Sequence, residues 1–119
     1  MLTTFVFVSL NSLNFFSDSW PNLEVLYLCR NKLKILPQQL MRCTKLRRLY
    51  LNSNQIDLRG LPRGIFNLEK LEVFSAADNN LETIPDALCR LGSLKVLNLN
   101  KNRLLTLPEA IHFLQLKVS

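Results

Sequence analysis

Apolar and polar positions in this chain follow one phrase, L-x-x-L-x-L-x-x-N-x-L, which occurs four times. Leu23, Leu26, Leu28, Asn31 and Leu33 carry the first copy, and Leu46, Leu49, Leu51, Asn54 and Ile56 the second. Leu71, Phe74, Ala76, Asn79 and Leu81 carry the third, and Leu94, Leu97, Leu99, Asn102 and Leu104 the fourth. Successive copies begin 23, 25 and 23 residues apart. Alternation across Leu26-x-Leu28 and its counterparts has the period of two that marks a short strand. A strand recurring at this interval predicts stacked coils, because one coil alone cannot bury its apolar side.

The phrase is that of a leucine-rich repeat. The predicted fold is an α/β solenoid, a horseshoe fragment with a parallel sheet on its concave side and short helical or 3₁₀ turns on its convex side. The convex turns are read from the second half of each coil. There Leu36-Pro37, Leu61-Pro62, Ile84-Pro85 and Leu107-Pro108 are followed by apolar residues three apart: Leu40 and Cys43, Ile65 and Leu68, Leu88 and Leu91, Ile111 and Leu114. Proline suits the start of such a turn, where no N–H is needed. The four phrase asparagines are expected to form an interior ladder, their amides bonding backbone groups that burial would otherwise leave unpaired. The second coil is two residues longer, and the surplus around Asp57-Leu58-Arg59-Gly60 is expected to bulge as a loop.

These periods divide the chain into residues 22–45, 46–70, 71–93 and 94–114, with a start at 1–21 and a tail at 115–119. Met1–Ser17 is uncharged and holds Leu2, Phe5, Val6, Phe7 and Val8, in the manner of a secretory segment. It lacks a basic residue after Met1 and a clear small-residue cleavage site. Leu10, Leu13, Trp20 and Leu23 instead repeat the spacing of Leu33, Leu36, Cys43 and Leu46, so Met1–Pro21 is read as the degraded remains of a preceding repeat. No apolar run approaches the ~20 residues of a membrane span.

Chemistry is sparse. His112 is the single histidine, and no serine or cysteine stands in a context that would activate it. Gly60, Gly64 and Gly92 are scattered and form no phosphate loop. Cys29, Cys43 and Cys89 have neither metal-ligand spacing nor an even count, which argues against a metal site and for a reducing compartment. No enzyme activity, cofactor or metal is expected. The net charge of +6 concentrates at Arg42, Lys45, Arg47 and Arg48. Without aromatic stacking platforms this is read as solvated surface rather than a nucleic-acid groove.

What remains is a binding surface. Residues between the strand leucines face the concave side: Val25, Tyr27 and Cys29; Arg48, Tyr50 and Asn52; Val73, Ser75 and Ala77; Val96, Asn98 and Asn100. Val25, Val73 and Val96 make an apolar stripe interrupted by Arg48. Tyr27 and Tyr50 are neighbours, and Ser75 and Asn98 continue their column. Flanking Glu24, Arg47, Glu72 and Lys95 alternate in sign. This composition belongs to a protein interface. The predicted contact set is Val25, Tyr27, Arg47, Arg48, Tyr50, Asn52, Val73, Ser75, Val96 and Asn98, with Tyr27, Arg48 and Tyr50 as its anchors.

Some stretches carry more than the generic phrase: 44–54, Gly60-Leu61-Pro62-Arg63-Gly64-Ile65, 73–81 with its Ser75-Ala76-Ala77, Leu88-Cys89-Arg90, 99–104 and 106–114. Together with Trp20 they resemble the leucine-rich-repeat half of the flightless-I family over roughly Trp20 to Leu114. The resemblance implies a non-catalytic protein-interaction module of a regulator of the actin cytoskeleton and of transcription. Its implied partners are coiled-coil repeat-interacting proteins or Ras-type GTPases, and its implied location is cytoplasmic, cytoskeletal and nuclear. Actin linkage in that family runs through gelsolin-like modules, which this sequence lacks. The chain is therefore read as a fragment or truncated isoform, whose uncapped ends would make it marginal or self-associating. A Ras-binding scaffold without actin linkage and a secreted or cell-surface recognition domain are the alternatives.

Overall fold

The computed structural model describes residues 4–6, 21–36, 38–114 and 117–118. Six short strands form one parallel sheet in sequence order: β1 (Thr4–Val6), β2 (Val25–Tyr27), β3 (Arg48–Tyr50), β4 (Val73–Ser75), β5 (Val96–Asn98) and β6 (Lys117–Val118). The register pairs Leu26 with Leu49, Leu49 with Phe74 and Phe74 with Leu97. All four of these side chains are fully buried. Each removes from water apolar surface worth about 2 kcal/mol, and each needs its neighbour in the next coil to do so. The repeated phrase predicts such rows, and the sheet order and register carry them. The residues of the expected N-terminal repeat remnant other than Thr4–Val6 and Pro21 lie outside the described residues.

Opposite the sheet the chain returns through short turns. Gln38–Arg42, Arg63–Asn67 and Glu109–Phe113 are 3₁₀ turns, and Asp86–Cys89 forms the one α-helical turn among the described residues, α1. Pro62, Pro85 and Pro108 sit at their N-caps in extended conformation. Their missing N–H costs nothing there, and their fixed φ turns the chain into the helix. Leu40, Ile65 and Leu88 point inward and meet the strand leucines.

The asparagine ladder is present. Asn54 Oδ1 accepts from the backbone N–H groups of Asn31 and Leu33 at 2.9 and 3.0 Å, while its Nδ2 donates to the carbonyls of Leu28 and Leu51 at 2.9 and 2.8 Å. Asn79 repeats this one coil on, accepting from Ile56 N–H and donating to Leu51 and Ala76 carbonyls. Asn102 accepts from Leu81 N–H and donates to Ala76 and Leu99 carbonyls. Each amide thus bridges its own coil and the one before it. The residue ahead of each asparagine lies in the left-handed region: Arg30, Ser53, Asp78 and Lys101, with φ between 56° and 60°. None is glycine, so each costs about 1 kcal/mol of backbone strain. Next-coil carbonyls hold three of them there, with Arg30, Ser53 and Asp78 donating to Asn52, Ala77 and Asn100.

The surplus residues of the second coil do not bulge freely, contrary to expectation. Leu58–Gly60 closes a 3₁₀ turn of its own, capped by Asp57, whose carboxylate accepts from Gly60 N–H at 3.2 Å. Gly60 is buried, its carbonyl accepts from Leu36 N–H at 2.9 Å, and a Cβ on it would stand 2.1 Å from the Lys34 carbonyl oxygen. Only the absence of a side chain lets the turn lie against the preceding coil.

Candidate functional site

The parallel register decides what the concave face presents. Val25, Arg48, Val73 and Val96 form one column, and Tyr27, Tyr50, Ser75 and Asn98 the next. Strands in a sheet lie about 4.8 Å apart. Two tyrosines in register on adjacent strands must therefore stack, and Tyr27 and Tyr50 do, with ring centroids 4.6 Å apart and planes 5° from parallel. Both are half-buried. Arg48 is exposed between half-buried Val25 and Val73, and Val96 is exposed at the far end of its column. The apolar stripe broken by one cation and the tyrosine pair are both where the sequence placed them.

Ser75 differs from its expected place as an exposed contact residue, and half-exposed Asn52 is its partner. Ser75 is 4% exposed, and its hydroxyl donates to Asn52 Oδ1 at 2.8 Å; the same oxygen accepts from Ala77 N–H at 2.9 Å. The pair braces β3 against β4 and leaves Ser75 no free surface. A serine between strand leucines gives no sequence sign of this, because its partner stands 23 residues away. Asn98 accepts from Asn100 N–H at 3.1 Å and remains half-exposed.

Arg47 also has a defined role. Its guanidinium lies 2.7 Å from Glu72 and 3.6 Å from Glu24, and Lys95 approaches Glu72 at 3.5 Å. The four alternating charges form an ion-pair row along one edge of the sheet, which compensates Arg47 inside the molecule. Its hydrogen bond to Arg47 holds the Glu72 carboxyl below the usual carboxylate range, and the same bond raises Arg47. The dense basic group of the sequence is dispersed by the fold. Arg48 faces the concave side, Arg47 joins the ion-pair row, Lys45 donates to Asn22 at 2.8 Å, and Arg42 ends a convex turn.

Cys43 and Cys89 are buried, and burial pushes both thiols up from their ordinary range. Cys89 ends α1 on the convex side, and its side chain is packed inward. Cys29 is half-exposed beside the concave columns. His112 rests against the Phe113 ring, with centroids 4.6 Å apart. Among the described residues no group of three or more His, Cys, Asp or Glu side chains is placed to hold a metal ion, and no helix is long and apolar enough to cross a membrane.

Comparison with known proteins agrees with this geometry. A family model described as "Leucine rich repeat" matches residues 7–56 and 57–115, and a second of the same description matches residues 45–68. The chain is 67% identical over 73 residues to the human "Protein flightless-1 homolog", covering 61% of this chain and 6% of that protein. It is 54% identical over 43 residues to "Protein flightless-1" of Drosophila melanogaster, covering 36% and 3%, and 68% identical over 65 residues to the Danio rerio homologue, covering 55% and 5%. It therefore spans a small part of the length of each relative. Among solved structures, an LRR protein of Leptospira interrogans superposes with a TM-score of 0.72 at 28% identity, covering 83% of this chain and 26% of that one. Internalin C2 of Listeria monocytogenes superposes with a TM-score of 0.72 at 26% identity, covering 86% and 43%. A repeated strand, an asparagine ladder and a matching family description over nearly the whole chain give one conclusion: the chain belongs to the leucine-rich-repeat family, and it is similar over part of its length to the flightless-1 proteins.

Proposed function

We propose that this chain is a non-catalytic protein-interaction module of a flightless-like regulator, and that its partner binds the concave sheet. One observation carries the reading: the stacked, half-buried Tyr27–Tyr50 pair beside exposed Arg48. Tyrosine and arginine are enriched among the side chains that dominate binding energy, and here the two tyrosine rings are already stacked before a partner arrives. Val25, Val73 and Val96 extend the patch, with Asn98 at its polar margin. The repeats at 22–45, 46–70, 71–93 and 94–114 act as one working unit. Similarity to the flightless-1 proteins supports a place in regulation of the actin cytoskeleton and of transcription, hence in cytoplasm and nucleus. Direct contact with actin would fall to gelsolin-like modules.

The test is capture of purified candidates, a coiled-coil repeat-interacting segment and a GTP-loaded Ras-type GTPase, by this chain and by a Tyr27→Ala, Arg48→Glu, Tyr50→Ala variant of equal thermal stability. Capture of the coiled-coil segment that the variant loses by tenfold or more supports the reading. Capture of the GTPase alone favours the scaffold alternative. Equal capture by both chains removes the concave face from the interaction.

A further inference from the structure

We infer that the turn at Leu58–Gly60 builds a second protein-docking surface, separate from the concave sheet, and that it receives an acidic segment carrying an apolar side chain. The other three coils make the same passage with two residues fewer, so the turn is not needed to close a coil. It is nevertheless held on three sides. Asp57 caps it, Leu61 N–H returns to the Leu58 carbonyl at 3.2 Å, and the Gly60 carbonyl is bonded to Leu36 N–H. A surplus segment tied down in this way displays what it carries in a fixed position. It carries Leu58, 40% exposed, and Arg59, also exposed, and the preceding coil sets Lys34 and Ile35 next to them, Ile35 being 65% exposed. Lys34, Ile35, Gln55, Asp57, Arg59 and Asn80 line a depression of about 320 Å³ at this point.

Charge decides the occupant. Asp57 is the one carboxylate in that lining, and its oxygen is engaged by the turn it caps. Lys34 and Arg59 make no ion pair among the described residues, and Lys32 is exposed on the same coil. Ile35 in the depression and Leu58 on the adjoining turn stand with two cations, Lys34 and Arg59, against the single carboxylate of Asp57, and they match a ligand with an apolar residue between carboxylates. Such a ligand neutralises the rim as it buries Ile35 and Leu58. A basic or uniformly apolar partner would leave those charges repelled or desolvated.

The probe is a fluorescein-labelled peptide with one leucine set between runs of glutamate, followed by fluorescence anisotropy on the full chain. Its counterparts carry glutamine or lysine in place of glutamate. The glutamate peptide is expected to bind and the other two to bind at least tenfold more weakly. A Lys34→Glu, Arg59→Glu variant and, separately, a Leu58→Ser variant should each lose tenfold or more, with unchanged thermal unfolding because all three positions are exposed. Lys70→Glu, exposed and outside the lining of the depression, should leave peptide binding unchanged, so general attraction to the chain's net charge is read out separately. Failure of the glutamate peptide to saturate the chain overturns the inference. So does equal affinity for the chain and its Lys34→Glu, Arg59→Glu variant, or loss of binding in Lys70→Glu to the same degree. None of these outcomes bears on whether the concave face binds its own partner.

Discussion

Replacing Asn54 by alanine should rank with Asn79→Ala among the most damaging changes to a polar residue of the asparagine ladder. The side chain makes four close hydrogen bonds, three of them buried, and together they join backbone groups of two successive coils. Alanine leaves the N–H of Leu33 and the carbonyls of Leu28 and Leu51 without that partner in an interior lined by leucine. A buried hydrogen bond contributes about 1–1.5 kcal/mol net, and an orphaned group costs at least as much, so the loss is about 3–5 kcal/mol. A domain of this size has a total stability of roughly 5–15 kcal/mol, so the change removes a large share of it. Asn102→Ala is the comparison. Its amide makes three close bonds of the same kind, all only partly buried, and water replaces them at a cost of about 1–2 kcal/mol. Asn54→Asp is the second control, because it keeps the acceptor and loses the donor. Its second oxygen would face the carbonyls of Leu28 and Leu51 where an N–H group now donates. The assay is urea unfolding followed by far-ultraviolet circular dichroism, with midpoints converted through a common m-value. The reasoning is refuted if Asn54→Ala and Asn102→Ala differ by less than about 0.5 kcal/mol, the scatter expected between independent sites.

Three further outcomes follow from particular contacts. Gly60→Ala drives a methyl group to 2.1 Å from the Lys34 carbonyl oxygen and should cost about 1–3 kcal/mol, whereas Gly92→Ala meets nothing within 4 Å and should be neutral or stabilising by about 0.5 kcal/mol; thermal unfolding of the two variants compares them. Ellman's reagent should modify Cys29 promptly and reach Cys43 and Cys89 only at the rate of unfolding, since both are buried with raised thiol pKa values; fast release of all three thiols from folded protein would contradict the packing. The Glu72 carboxyl is lowered by Arg47, so its contribution to stability is present above the unfolded glutamate pKa of about 4.3 and is lost as pH falls through the lower folded value. In Glu72→Gln that part of the acid dependence of the urea midpoint should vanish, and in the parent chain added salt should weaken it.

The repeated phrase made the sheet legible. Once Leu26, Leu49, Phe74 and Leu97 are put in register, every concave column follows, and the Tyr27–Tyr50 stack and the Glu24–Arg47–Glu72–Lys95 row come with it. The sequence does not show how side chains from different coils use one another. Ser75 was placed on the surface by its strand position, yet Asn52 draws its hydroxyl into the sheet. Arg47 and Arg48 are neighbours in sequence, but one completes an ion-pair row and the other faces solvent. The residues around Gly60 look like a loop because glycine is a turn former; that glycine is there for a close backbone approach shows only when Lys34 is in view. Arg30, Ser53, Asp78 and Lys101 take left-handed backbone without glycine, and nothing local announces it; carbonyls of the next coil hold the first three there.

Each rung of the asparagine ladder reaches back one coil and no further, with partners 21 to 28 residues apart along the chain. A pull applied at the two ends of this array therefore meets its bonds in series. Every inter-coil seam carries the same load, the weakest gives way first, and its release leaves the others to bear the pull again. Releasing a coil of 23 residues lets out about 75–80 Å of extended chain. The array should yield in a staircase of nearly equal steps. The coil held by Gly60 and its extra turn would mark itself by a step two residues longer than the rest.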